Sequence, residues 1–346
     1  MKLELAWHLE PHTPLRFARA AGDALVALSR AGALLCFALG EDAPRLRWRT
    51  VGGARAFALA GGHVVAAEGR RGRGWQLVGY GLLDGAPRWR RQLEAGRVAR
   101  VFAAGERAHA TLSREGRFVL ESVRVEDGAS LGVRPLDRRR AMVAADGARA
   151  WTRDADGVTE HALGGAVRRE TALAANGPMS ERGPLLVTSV GDAVVAVREG
   201  APIWRTPLPA RDLREVAERD GVLDEEDEED VWEAEPGRAA LGEALAWVPD
   251  MNGSLHALDL ASGALRWTAH SAHYPSSDAV AVPCTLGAHV AWPASDEHLY
   301  LVDAGTGAVQ ARLDLEAPFE GAALALPDEV VALADGAGLR GVALRG

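Results

Sequence analysis

Short apolar runs recur along the chain, each entered through a turn. "GDALVALS" from Gly22, "GHVVAAE" from Gly62, "GERAHATLS" from Gly105 and "GARAWTR" from Gly147 share this form. It continues as "GPLLVTSV" from Gly183, "GEALAWVP" from Gly242, "GAHVAWPA" from Gly287 and "PDEVVALAD" from Pro327, eight copies in all. The polar alternation within each run is weak, which is the pattern of a strand covered on both faces. Helical spacing stands out in "RDLREVAERD", through Leu213, Val216 and Ala217.

A second mark follows each run: a glycine turn with a tryptophan four residues on, as in Gly85 and Trp89, Gly200 and Trp204, and Gly263 and Trp267. Trp48 holds this place after "GEDAP", and Trp7 holds it in "ELAWHLE". Gly132, Arg169 and Ala311 occupy it in degenerate copies, which are normal where a repeat needs only to fit its neighbours. The marks, at positions 7, 48, 89, 132, 169, 204, 267 and 311, recur at steps of 35 to 44 residues, except for one of 63 between Trp204 and Trp267. Counting from Ala311 through the C-terminus to Trp7 gives about 42, so the repeat closes on itself through the termini.

A period of about 42 with several short strands per unit predicts a propeller blade of four antiparallel strands. The fold class is therefore all-β: a single β-propeller over residues 1–346 with eight four-stranded blades, or seven if the weak unit from Thr159 to Glu170 is irregular. "VVALADGAGLRGVALRG" is expected to supply inner strands of one blade and "KLELAWHLE" its outer strand, so that backbone hydrogen bonds latch the ring. The tryptophans, Trp7, Trp48, Trp89, Trp204 and Trp267, are expected to fill the widening wedge between blades. Gly263 and Gly307 turn the chain, and Asp259 and Asp303 just before them cap the turns by accepting backbone N–H groups.

Composition narrows the function. A net charge of -9 argues against general nucleic-acid binding, which draws its affinity from a basic surface. Cys36 and Cys284 lie far apart, which gives neither a disulfide framework nor a zinc spacing and reads as two small buried apolar residues. The N-terminal "MKLELAWHLEPHT" alternates charged and apolar residues, unlike a secretory signal, and charges interrupt every candidate membrane span. The expectation is a soluble, cytoplasmic and monomeric protein.

"DMNGSLHALDLASGALRW" and "SDEHLYLVDAGTGAV" resemble the PQQ-like, or quinoprotein-type, β-propeller repeat D-G-x-L-Y-A-L-D-x-x-T-G-x-x-x-W. Two units match this pattern well, four through Gly and Trp, and the rest by period. The resemblance implies a propeller over essentially the whole chain. In that superfamily, quinone-dependent dehydrogenases are exported, larger, and hold calcium and cofactor in the central funnel, commonly beneath a disulfide between adjacent cysteines. An outer-membrane assembly lipoprotein of the same fold is a non-enzymatic scaffold. Adjacent cysteines, a calcium-ligand cluster and a lipobox are missing from this sequence. The resemblance thus implies a cytoplasmic member without cofactor or metal. The competing class is an enzyme or ligand-binding propeller using the funnel, a quinone- or metal-dependent oxidoreductase.

The long step contains an insertion, residues 209–238, with the unbroken acidic run Asp224, Glu225, Glu226, Asp227, Glu228, Glu229 and Asp230 followed by Val231 and Trp232. Such a run is usually solvated surface, but an aromatic beside it suits an interface anchor, so contact with a basic partner is the functional alternative. Arg16, Arg55, Arg100, Arg140 and Arg238 begin innermost strands and are expected at one mouth of the central channel, on the face from which the insertion emerges. They are either solvated arginines of an Arg-rich chain or a basic rim that binds an acidic segment or anionic ligand, with the acidic run as competitor. His270 and His273 read as solvated loop histidines, "RDADG" and "DMNG" as hairpin turns, and "GRRGRGW" as a link between strands. No catalytic constellation is recognisable, and the function read from sequence is a non-enzymatic protein-interaction scaffold in a multi-protein assembly, a reading that leans on fold analogy.

Overall fold

The computed structural model describes residues 1–9, 14–40, 43–70, 74–93, 97–114, 117–136, 144–145, 149–153, 157–162, 168–175, 177–222, 231–232, 234–276, 280–315, 319, 321–334 and 338–345. Among the described residues the sheets are eight antiparallel four-stranded blades and one two-stranded pair. Blade 1 runs from Leu15–Ala21 through Ala24–Ser29 and Leu34–Ala38 to Arg45–Arg49, and blade 2 from Ala54–Ala60 through His63–Arg70 and Gly74–Gly81 to Pro87–Gln92. Blade 3 comprises Arg97–Ala104, Arg107–Arg114, Arg117–Arg124 and Ser130–Leu136, and blade 4 Ala144–Ala145, Arg149–Arg153, Gly157–Ala162 and Arg168–Ala172. Blade 5 is Ser180–Arg182, Leu185–Val190, Ala193–Arg198 and Ala201–Pro207, and blade 6 Ala240–Leu241, Leu245–Pro249, Ser254–Asp259 and Leu265–His270. Blade 7 is Cys284–Leu286, His289–Pro293, His298–Asp303 and Val309–Asp314.

Blade 8 takes Leu324–Leu326, Val330–Ala334 and Leu339–Arg345 from the C-terminus and Lys2–Leu9 as its outermost strand. This is the latch that the repeat offset predicts. The weak unit from Thr159 to Glu170 is a complete blade, so the count is eight. A backbone ladder needs no tryptophan mark, and blade 4 forms one with an innermost strand of only two residues. By contact clustering the chain divides into two compact units. One holds residues 9–172 with 336–339, and the other holds 1–8, 173–335 and 340–346.

Inside a blade the two middle strands carry the core. Ala24–Ser29 is buried at every position, whereas the outer strand Arg45–Arg49 is exposed or half-buried throughout. Burial on both faces explains why the middle strands read as apolar runs rather than alternating ones.

The tryptophans bind successive blades within each unit. Trp48 donates its indole N–H to the Leu82 carbonyl at 2.8 Å and Trp89 to Val125 at 2.7 Å. Trp204 does the same to Leu260 at 3.0 Å and Trp267 to Ala304 at 3.2 Å. In every case the acceptor follows the third strand of the next blade, and the indole ring lies over that blade's turn glycine. A Cβ at Gly85, Gly128, Gly263 or Gly307 would sit 2.5 to 2.7 Å from the ring of Trp48, Trp89, Trp204 or Trp267 respectively. Each ring also folds across its own sheet over a small residue, Cys36, Gly79, Ala196 or Ala257 opposite it in register.

Asp259 caps its turn as expected. Its Oδ1 accepts the Ala261 and Ser262 amides at 3.0 and 2.9 Å, and Arg266 holds Oδ2 at 2.6 Å. Asp303 repeats this with Gly305 and Thr306 at 3.1 and 2.8 Å. The Arg266 guanidinium and the turn donors hold the Asp259 carboxyl far below the usual carboxylate range. Asp84 and Asp127 cap the matching turns of blades 2 and 3, accepting the Ala86 and Ala129 amides at 3.0 and 2.9 Å.

Candidate functional site: the crossover face of blades 5 to 7

Antiparallel order fixes which loops share a face. The outermost strand of one blade crosses to the innermost strand of the next on the same face as the turn between second and third strands. In the unit of blades 5 to 8, this crossover face carries the insertion between Pro207 and Ala240, the turn at Gly191 and Asp192, and the turn from Asp250 to Gly253.

The described part of the insertion is a small built element. Arg211–Asp212 pairs antiparallel with Val231–Trp232, and α1 (Arg214–Asp220) follows the first of these strands, ended by Gly221 in the left-handed conformation. Leu213 and Ala217 bury one side of it, at 1% and 2% exposure. These are two of the three positions that carry the helical spacing in sequence. The acidic residues Asp224–Asp230 lie outside the described residues, between Val222 and Val231. Trp232 is placed by its backbone opposite Arg211.

Arg211 fastens this element to blade 6. Its Nη1 donates to the carbonyls of Asn252 and Gly253, both at 2.7 Å, and to Ser271 Oγ at 3.1 Å, while Nη2 donates to the Ser271 carbonyl at 3.0 Å. A planar guanidinium spans several acceptors at once, which an ammonium would not. Burial lowers the arginine's pKa, and the carboxylates of Asp250 and Asp296 oppose that shift. At the far end of α1, Arg219 donates to the Ala272 carbonyl, and Asp220 Oδ2 accepts the Tyr274 amide at 2.7 Å.

The surface beneath is itself a polar network. Asp250 and His256 are wholly buried and joined at 3.0 Å, with His256 Nδ1 3.1 Å from Thr268 Oγ1 and Asp250 Oδ1 accepting the Ser254 amide at 2.7 Å. The network ties the turn after the second strand of blade 6 to its third and fourth strands. In blade 7 Tyr300 stands at the register of His256. It donates to Asp296 Oδ2 at 2.5 Å and accepts the Ala272 amide at 2.7 Å. Burial and the Asp296 carboxylate push the Tyr300 phenol well above its ordinary range. Satisfied buried networks of this kind rigidify what they support.

Beside this anchor lies a cavity of about 570 Å3, built by crossover segments and turns distant in sequence. Its walls include Ser189, Asp192, Glu235, Arg238, Met251 and Val280. Close packing of its backbone requires two glycines: a Cβ at Gly177 would lie 1.4 Å from Ser189 Oγ, and one at Gly237 would lie 2.2 Å from Val280 Cγ1. The return limb of the insertion is pinned here by Gly237 donating to the Pro249 carbonyl at 2.7 Å and by the bridge between Pro236 and Asp250.

The arginines singled out in sequence divide. Arg16 and Arg55 are exposed and occupy the same place, the unpaired residue of a bulge near the start of the innermost strands of blades 1 and 2. Arg100 follows the equivalent bulge of blade 3 by one residue and is half-buried. Bulges re-aim side chains out of the ladder. Arg140 lies outside the described residues. Arg238 precedes its strand, lines the cavity, and sits 3.8 Å from Glu181.

Other candidates find structural partners. His270 Nδ1 is 3.1 Å from Ser254 Oγ, and His273 stacks on His298 with centroids 5.0 Å apart, so neither is simply solvated. Among the described residues no group of three or more His, Cys, Asp or Glu is arranged to hold a metal ion. Both cysteines are free thiols, and burial pushes Cys36 up to about 11 and Cys284 up to about 12. "DMNG" is a hairpin turn and "GRRGRGW" joins two strands of blade 2, while Asp154 of "RDADG" lies outside the described residues. Among the described residues no helix is long and apolar enough to cross a membrane.

The family model described as outer membrane protein assembly factor BamB matches residues 218–346. No curated protein matches the chain in sequence. Among solved structures, BamB from Moraxella catarrhalis is 15% identical and aligns over 98% of this chain and 97% of its own, at a TM-score of 0.68. Sqt1 from Saccharomyces cerevisiae is 10% identical over 99% of both chains at 0.71. A europium-containing methanol dehydrogenase is 12% identical over 99% of this chain and 93% of its own at 0.64. At such identities the likeness is one of fold. Residues 218–346 thus resemble that family, and what holds for the chain as a whole is the fold: an eight-bladed β-propeller whose last blade takes its outer strand from the N-terminus.

Proposed function

We propose that this propeller is a non-enzymatic interaction scaffold in a cytoplasmic multi-protein assembly, and that its crossover face at blades 5 to 7 receives a basic segment of a protein partner. The observation that carries this reading is the anchoring of the insertion. A solvated loop needs no fixed base, yet here a buried arginine with four hydrogen bonds, a capped helix and a strand pair hold both limbs from which the acidic residues Asp224–Asp230 depart and return. Seven consecutive carboxylates lie in sequence between these two held limbs, and negative charge carried there would steer a cationic partner. The matching family description, an assembly factor, points the same way.

The test is affinity capture of the full chain from its own cells with cross-linking mass spectrometry, set beside a variant in which Asp224–Asp230 are changed to Asn and Gln. The reading expects a defined partner whose lysines cross-link to residues 209–238 and which the variant loses. Capture of the same partner at the same yield by the variant refutes it. Fractionation of the cells tests the compartment.

A further inference from the structure

We propose that the cavity of blades 5 to 7 is a socket for a single cationic side chain, an arginine or lysine, of that basic partner. The proposal rests on the reading above and adds a second contact, distinct from the acidic run. Asp192 and Glu235 are exposed carboxylates on the cavity wall whose side chains make no hydrogen bond or ion pair with the described residues. The positive charge in the wall, Arg238, already has Glu181 at 3.8 Å. The lining therefore leaves two carboxylates uncompensated, and a cation entering from solvent meets net negative charge.

Ser189 gives an independent indication. It is 3% exposed and lines the cavity. Its hydroxyl makes no hydrogen bond with the described residues, although the Ser189 carbonyl accepts the Gly177 amide at 3.3 Å. Buried hydroxyls are normally satisfied, so this one is set to accept from or donate to an occupant. Met251 and Val280 supply the apolar part of the wall, which suits the methylene stem of a long basic side chain whose head reaches carboxylates. The volume, about 570 Å3, lies within the range of about 300 to 1,000 Å3 of pockets that hold small groups. Glu235 stands only five residues after the end of the acidic run at Asp230, so run and socket are neighbours in sequence.

The experiment uses the full chain and three probes: Nα-acetylarginine amide, its neutral analogue Nα-acetylnorleucine amide, and a fluorescein-labelled peptide of alternating Arg and Gly. Thermal shift reads the amides and anisotropy reads the peptide. Variants are D192N/E235Q, S189A and the neutralised run. The socket predicts that the arginine amide raises Tm and the norleucine amide does not. It further predicts that D192N/E235Q abolishes that rise and weakens the peptide roughly tenfold or more, that S189A weakens both partially, and that the neutralised run leaves the amide response intact. If the run variant loses the peptide while D192N/E235Q binds amide and peptide like the parent, the socket is refuted and the scaffold reading stands. If the amide responds through Asp192 and Glu235 but the peptide is indifferent to the run, the socket stands and the role of the run falls. A parent chain that answers neither arginine probe overturns both, as does preference for a Glu-Gly peptide.

Discussion

Replacing Arg211 by Met keeps the length of the side chain and removes every donor. In the parent, Asn252, Gly253 and Ser271 accept four hydrogen bonds from one guanidinium at 2.7 to 3.1 Å, and the residue is 8% exposed. Nη1 shares two hydrogens among three acceptors, so three N–H groups donate, and at about 1 to 1.5 kcal/mol net for each the gross contribution is about 3 to 4.5 kcal/mol. The cost of burying the cation, visible as its lowered pKa, returns part of this, leaving about 3 kcal/mol. That corresponds to a roughly 150-fold rise in the opening of the insertion. The assay is native-state hydrogen exchange of the full chain, followed at the Gly221 and Val222 amides and the strands Arg211–Asp212 and Val231–Trp232, with urea unfolding in parallel. Arg211→Met should lose protection across these amides while the middle strands of blades 2 and 3 exchange as in the parent, and Arg211→Lys should fall between. Unchanged protection in Arg211→Met would refute the claim that this arginine fixes the insertion.

Other outcomes follow from the interior. His109 is wholly buried, stacked on Phe102 at 5.0 Å, with Nδ1 2.8 Å from Ser122 Oγ and Nε2 unpaired. Burial, with a smaller push from Arg107, lowers its pKa to about 4. Because an unfolded imidazole protonates near 6.5, the unfolded chain binds the proton first; stability therefore declines as pH falls from about 6.5 to about 4, by up to about 3 kcal/mol. His109→Gln should flatten that part of the urea midpoint curve, and an unaltered slope would contradict it. Gly22 and Gly263 both sit at positive φ, +58 and +74 degrees, but a Cβ at Gly22 meets nothing within 4 Å whereas one at Gly263 meets Trp204 at 2.6 Å. Gly22→Ala should cost about 1 kcal/mol from backbone strain alone, and Gly263→Ala about 3 kcal/mol. In a Trp204→Ala background the excess at Gly263 should vanish, and a strictly additive double-mutant cycle would show that the ring and the turn do not touch.

The blade count, the latch and the turn caps were legible because they leave local or periodic marks: Trp7 falls on the same period as Trp48 and Trp89, and Asp259 and Asp303 precede their turns by a fixed spacing. Asp84 and Asp127 cap from a different place, directly before the turn glycine where Asp259 and Asp303 stand four residues before theirs, so the fixed spacing did not announce them. What the turn glycines accommodate was not legible, since Gly263 yields to Trp204 of the preceding blade and nothing local to either records the pairing. Arg211 likewise reads as one more polar residue of a charged insertion until Asn252 and Ser271 are brought to it. The cavity is the hardest case. Gly177, Gly237 and Val280 come from three separate connections between blades and Ser189 from a middle strand of blade 5, and only the packing of adjacent blades assembles them.

The central claim is that one face, that of the insertion and the crossover turns of blades 5 to 7, receives the basic partner. Hydrogen exchange of the full chain, with and without a saturating Arg-Gly peptide, measures this most directly. Added protection is predicted at Gly191–Asp192, in the limb Ala234–Arg238 and at Met251–Gly253. Protection confined to the outer strands, such as Arg45–Arg49 or Val309–Asp314, with none at these turns, would contradict it.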